Sequence, residues 1–230
     1  GSLHLSGTVT TPEIQAKIEA HLAQKPAEFL LTRRFDLVDD GTPPDFTLAY
    51  DAQSGARLSG KLPKGLDAAQ ITQILQLPYI EDTAQVGLIG RADFTRQVLR
   101  VLADWLRHFE QFEFQYSAGQ LALKGVAAPG VAAEDLTAAL SSRFVIATEI
   151  SEAGPSADIG AERIHARSGL LERRVPGAWV PVYSFEPTAA RCSAATSTIL
   201  EQEHLGFGEG LARFDVSAAP ALAHLAGLIG

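Results

Sequence analysis

One short phrase occurs three times in this chain and limits what it can fold into. It runs through Leu3, Leu5, Gly7 and Val9, then Ala56, Leu58, Gly60 and Leu62, then Leu121, Leu123, Gly125 and Ala127. Each copy alternates apolar positions with a period of two, which is the pattern of a strand with one buried face. Each then meets a breaker, Pro12, Pro63 with Gly65, or Pro129 with Gly130, before a helical pattern begins. The helices carry single apolar stripes: Ile14, Ile18 and Leu22; Ile71, Ile74 and Leu75; Leu136, Ala139 and Leu140.

A second strand pattern precedes two of the copies. Phe46, Leu48 and Tyr50 lead through a turn with Gly55 into the second copy, and Phe112, Phe114 and Tyr116 lead through Gly119 into the third, so both read as hairpins. A further apolar segment follows each helix, at 29–38, 86–89 and 144–150. The predicted class is α+β, built of repeated αββαβ modules with helices packed on one face of small mixed sheets. Residues 93–109 complete the last module as a helix, with Asp93 as its cap and Phe94, Val98, Val101, Leu102, Trp105 and Phe109 on one side. Residues 3–38 fit either as the tail of a preceding unit or as part of the next one, because strand pairing across repeats is not local information.

Beyond residue 150 the pattern changes. Residues 152–160 are rich in Gly, Pro, Ser and Ala and read as a linker, and 161–185 as a strand pair that includes Trp179 to Phe185. A helix is expected from Ala189 through Leu200, a glycine-interrupted strand over 205–214, and a last amphipathic helix from Ser217 to Ile229. The expected divisions are a partial first unit at 1–38, a second at 39–91, a third at 92–150, a linker with strand pair at 151–188, and a final piece at 189–230.

The Leu-x-Gly phrase with its hairpin and following helix resembles the BON module, an αββαβ unit of bacterial envelope proteins that occurs in tandem. The matching residues are Leu58 to Gly60, Leu123 to Gly125 and, without its partner strand, Leu5 to Gly7. The stretch holding Phe207, Gly210, Ala212, Phe214, Ser217 and Leu225 is similar to the opening strand and helix of an OmpA-like peptidoglycan-binding domain. The resemblance implies a non-catalytic periplasmic binding or spacer region of an OmpA-family protein of the cell envelope and outer membrane. Its partners would be phospholipid or an envelope protein, with peptidoglycan reached only through the part of that domain beyond Gly230. Cys192 fits the position of a cysteine that pairs, in related proteins, with one after the helix.

Charge and motifs narrow the chemistry. Nineteen Lys and Arg against 27 Asp and Glu give a net charge of −8, which disfavours nucleic acid as a partner. Every apolar run is interrupted well short of the roughly 20 residues that cross a bilayer. The opening Gly1 and Ser2, in a chain without Met, read as the start of a piece excised from a longer protein. A single cysteine excludes an internal disulfide framework and a multi-cysteine zinc site.

Candidate groups have plainer readings beside the sharper ones. His21 and His108 read as surface or rim positions on helices, and the acidic stretch Asp36, Asp39, Asp40 and Asp45 as a solvated turn rather than a calcium loop. The Gly206 to Gly210 run lacks the Lys-Ser/Thr of a phosphate cradle, and Cys192 lacks an identifiable base. Gly7, Gly60 and Gly125 read as sites of close backbone approach, with ligand contact as the alternative. Arg33 with Arg34, and Arg173 with Arg174, read as solvated edge-strand charges. The expectation is therefore no catalytic, cofactor-binding or metal residue. The alternatives are a small-molecule-binding module, or an enzyme whose site assembles between repeats from Arg33, Asp36, Asp45 and His108.

Overall fold

A computed structural model describes residues 2–24, 30–154, 158–202, 205–207, 214 and 216–229. It is α+β, with mixed sheets and helices along the whole length. The chain opens with strand β1 (Ser2–Val9), helix α1 (Pro12–Ala23) and strand β2 (Leu30–Leu37), and β1 and β2 pair in parallel as a separate two-stranded sheet. The apolar stripe expected to bury α1 stays largely uncovered: no residue of α1 is buried, and Ile14 is 42% exposed. Two strands make too narrow a surface to cover a helix face.

The centre is built from β3 (Asp45–Asp51), β4 (Gly55–Leu62), α2 (Ala68–Leu75), β5 (Ile80–Asp82) and β6 (Gln85–Val86), then α3 (Ala92–Trp105), β7 (Phe109–Ser117), β8 (Gln120–Ala127), α4 (Ala133–Ser141) and β9 (Ala147–Ser151). Both runs place a hairpin, then a helix, then a strand parallel to the second hairpin strand. Strands β3 and β7 pair antiparallel, so the order is β5-β4-β3-β7-β8-β9, with β6 also on β4. The expected small sheets are thus one seven-stranded sheet, and units 39–91 and 92–150 share one core. Phe46, Leu48, Leu58, Phe114 and Leu123 face Ile71 and Leu75 of α2, Leu99 and Leu102 of α3, and Leu136 of α4. Each such side chain contributes roughly 1.5–3 kcal/mol by leaving water.

The two hairpins match in register. Phe46 stands opposite Gly60, Leu48 opposite Leu58 and Tyr50 opposite Ala56; Phe112 stands opposite Gly125, Phe114 opposite Leu123 and Tyr116 opposite Leu121. An aromatic across from a glycine covers the space that the missing side chain leaves. Gly60 has φ +95°, and a Cβ there would lie 2.3 Å from the Asp45 carbonyl oxygen. At Gly125 a Cβ would lie 2.8 Å from the Gln111 oxygen. Close approach therefore explains both, while Gly7 has nothing within 4 Å of such a Cβ.

Several boundaries differ from expectation. The helix expected over 93–109 ends at Trp105 and passes through a 3-10 turn, Leu106–His108, so that Phe109 opens β7. The alternation Phe109, Phe112, Phe114 is that of a strand with one buried face, interrupted by a bulge after Phe109. Arg91, not Asp93, is the residue before the first turn, and Asp93 instead pairs with Arg96 at 3.2 Å. Phe94 is 42% exposed, resting edge-on against Phe144. Of the strand expected at 86–89 only Val86 is extended, as the end of β6; the chain after α2 instead lays down β5 and β6 earlier, as two separate parallel partners of β4.

The expected strand pair after residue 160 is a three-stranded antiparallel sheet of β10 (Glu162–Ile164), β11 (Leu171–Val175) and β12 (Ala178–Pro181). Helix α5 (Ala189–Gln202) follows. Of the strand expected over 205–214, the described residues show one antiparallel bridge between Phe207 and Phe214, and 208–213 lie outside the described residues. A 3-10 turn, Val216–Ala218, leads into α6 (Ala219–Ile229), which packs on α5 and on β12.

Candidate functional site

The small C-terminal sheet closes over one end of the central sheet. The Ala166 N–H donates to the Ala52 carbonyl at 2.7 Å, and Arg163 of β10 reaches Glu110 of β7. Between them, with α6 as the third wall, lies a cleft of about 680 Å³. Its lining brings together Arg107, Arg163, Arg167, His165 and His224, with Glu172 as the one carboxylate among the lining residues described. The same lining includes Val131, Leu170, Leu222 and Ala223, and Leu222 is 37% exposed.

Burial explains how the charged face of the small sheet is held. Arg163, Glu172 and Arg174 alternate inward where an apolar residue is usual, each under a tenth exposed. Arg163 Nε donates to Glu172 Oε2 at 2.9 Å, and its Nη1 to Glu110 Oε1. The same guanidinium lies 4.1 Å from the centre of the Trp179 ring, and that of Arg174 lies 5.6 Å away. Burial pushes the Glu172 carboxyl up, against the pull of Arg163. Such a group is stable as a carboxylate only beside a fully hydrogen-bonded cation.

His165 reports the field in the cleft. Its Nδ1 accepts from the Ser168 backbone N–H at 3.2 Å, which puts the ring proton on Nε2, 3.5 Å from the Tyr50 hydroxyl. Burial first, then Arg163, Arg167, His224 and Arg107, lower its pKa to about 4. Burial also pushes the Tyr50 phenol up, so the ring and the phenol are both neutral at pH 7. Below pH 6.5 the unfolded chain takes up a proton here that the folded chain refuses. Stability is thus fully present above pH 6.5 and falls as pH drops to about 4, by on the order of 3 kcal/mol. Glu172, whose pKa is raised, works in the opposite sense over part of that range. Urea midpoints of the parent chain and of His165→Asn, measured from pH 7.5 to 4, should converge as pH falls, and parallel curves would refute the assignment.

The sequence candidates are dispersed. Asp45 sits at one end of β3, accepting from Ser117 Oγ at 3.0 Å, while His108 lies by the other end of the sheet, about 20 Å of strand away. Arg33 and Asp36 are exposed on β2, in a different sheet, so the four do not form one site. His108 is buried at 3% exposure beside Trp105, not at the rim, because the 3-10 turn carries it under the core; His21 is exposed. Arg33 and Arg34 are the expected exposed edge charges and Arg173 pairs with Glu162 at 2.7 Å, but Arg174 is buried because β11 is the middle strand.

The acidic stretch is not a solvated turn throughout. Asp39 is 4% exposed, and Lys61 Nζ lies 2.5 Å from both Asp39 and Asp40. Burial works to raise the Asp39 pKa, and hydrogen bonds from Lys61, Leu88 and Gly41 outweigh it and lower it. Lys61 holds Asp40 far below the usual range. An ammonium thus stands where a metal cation would, and among the described residues no three His, Cys, Asp or Glu side chains converge on a common point.

Cys192 is a half-buried free thiol on α5, and Gly208 to Gly210 lie outside the described residues. Among the described residues no helix is long and apolar enough to cross a membrane. No motif in the sequence marks the cleft. Its one legible signal is the density of Arg, His and Trp between 163 and 179 in an otherwise acidic chain. Comparison with protein-family models, curated proteins and solved structures gives no match in any of the three.

Proposed function

We propose that this chain is a non-catalytic binding and spacing region of a bacterial cell-envelope protein, facing the periplasm, in which BON-like halves lead into an OmpA-like stretch. The cleft beside the small sheet is its ligand site. The observation that carries binding is the make-up of that cleft: three Arg and two His side chains line it together with Val131, Leu170 and Leu222, on a chain of net charge −8. Groups of this kind attract and hold a ligand, and the one deeply set imidazole is kept neutral with its Nδ1 engaged by Ser168. The tandem reading is supported by the shared connectivity and by the Phe-opposite-Gly register of both hairpins. Fractionation of cells expressing the full gene product tests the envelope assignment. Recovery in the envelope fraction is expected, and recovery wholly in the cytosol would overturn it.

A further inference from the structure

We propose that the open edge of β1 docks one antiparallel strand of a partner polypeptide, with aromatic residues at alternate positions and one of them opposite Gly7. This is independent of the cleft and of the compartment. The first argument comes from the three copies of the recurring phrase. In β4 the phrase has parallel partners, β5 and β6, on one side and the antiparallel β3 on the other. In β8 it has parallel β9 on one side and antiparallel β7 on the other. In β1 it has parallel β2 on one side, and among the described residues no strand pairs with the other. The open side is therefore the one that β3 and β7 take in the other copies, and what they bring has a fixed pattern. Phe46 and Phe112 stand opposite the glycine, Leu48 and Phe114 opposite the central leucine, and Tyr50 and Tyr116 opposite the first apolar residue of the phrase. Gly7 keeps room for such a ring, since nothing lies within 4 Å of a Cβ placed there.

The second argument is what this edge and its helix leave uncovered. Ser2–Val9 contains no Lys, Arg, Asp, Glu or Pro, the residues with which sheet edges turn away a further strand. The other outer strands carry them: Arg33 in β2, Glu81 in β5, Glu149 in β9, Glu162 in β10 and Pro181 in β12, while β6 is two residues long. Leu5 and Val9 are the more buried positions of β1, and His4, Ser6 and Thr8 are exposed, so the face holding Leu5, Gly7 and Val9 is the one turned to α1. A strand docked on this edge brings its aromatic residues under α1, none of whose residues is buried, and gains by covering that stripe. Two aromatic side chains bury roughly 150–250 Å² each, well short of the roughly 1,200 Å² of a stable interface between folded proteins. That scale suits an extended segment added to a sheet edge. A second copy of this chain, paired antiparallel about Leu5, would set Leu3 and not an aromatic residue opposite Gly7.

A synthetic peptide with the β3 sequence, Asp45–Asp51, titrated into the isotope-labelled full chain, tests the proposal through the amide signals of the protein. Those of Leu5 to Val9 and of α1 should shift, with a midpoint at or below about 1 mM. The peptide carrying Phe46→Ser should bind at least about tenfold more weakly, because the ring that leaves water is gone. Gly7→Ala in the chain should weaken the parent peptide to the same degree by taking the room for the ring, while the urea midpoint of the free chain stays unchanged. The altered peptide cannot disturb the fold of the protein, so it keeps the test sound if Gly7→Ala does. No shift in β1, or shifts confined to other elements, would overturn the proposal. Equal binding by the Phe46→Ser peptide would overturn the partner chemistry, and equal binding by Gly7→Ala the register. Dimerisation of the free chain that the peptide competes away, measured by sedimentation, would hand the edge to a second copy and overturn the partner.

Discussion

Gly60→Ala is expected to destabilise the chain by about 3 kcal/mol or more, and Gly7→Ala to change stability by less than about 0.5 kcal/mol, although the two glycines occupy the same place in the recurring phrase. At Gly60 two effects add. The backbone sits at φ +95°, a conformation that side chains disfavour, and the new Cβ would fall 2.3 Å from the Asp45 carbonyl oxygen and 2.8 Å from the Phe46 Cα. Those neighbours are backbone in a paired strand, so relief requires the hairpin to open where Phe46 stacks on Tyr116. Gly125→Ala should fall between them, at about 2 kcal/mol, since its Cβ would meet the Gln111 oxygen at 2.8 Å without a positive φ. Urea denaturation of the three variants gives the ranking. Equal losses at all three would mean that strand propensity, and not contact with the facing strand, governs the phrase.

That ranking also marks how far the sequence could be read. The α+β class and the hairpins were legible because their signals are local: Phe46, Leu48 and Tyr50 alternate within five residues, and Gly55 and Gly119 lie at the turns. What joins them is not local. Pairing of β3 with β7, which fuses two halves into one sheet, joins residues some seventy positions apart, and no spacing rule predicts it. The same holds for Phe109, which continues a helical stripe in sequence but is taken by the strand that begins there.

The cleft was illegible for a different reason. The inward face of β10 and β11 is made of Arg163, Glu172 and Arg174, so the binary pattern that marks a buried strand face is inverted. Charged residues there read as solvent-facing until Trp179 and Glu110 are seen to cover them. Likewise Asp39 looks like a loop carboxylate until Lys61, twenty-two positions away, closes on it. Pairing is the information that local pattern lacks, and it is what turns these charges from surface groups into anchors.

Arg163→Met is expected to cost about 3–5 kcal/mol at pH 8, one of the largest losses available to a single change at the cleft. Methionine fills most of the volume, so the loss is electrostatic. Glu172, 7% exposed, would be left without its cation, and Glu110 would lose its partner as well. The pH dependence separates this from a packing defect. Burial already raises the Glu172 pKa with Arg163 in place, and removing Arg163 raises it further. A carboxyl whose folded pKa lies above its unfolded value destabilises most when ionised, so the variant should recover stability relative to the parent as pH falls from 8 towards 5. A second change, Glu172→Gln in the Arg163→Met background, should restore part of the loss at pH 8 and little at pH 5. Urea midpoints for the four chains at both pH values give the coupling between the pair. A pH-independent loss that Glu172→Gln leaves untouched would show that Arg163 acts through its contact with Trp179 and not as the counter-charge that allows a carboxylate to be buried beside the cleft.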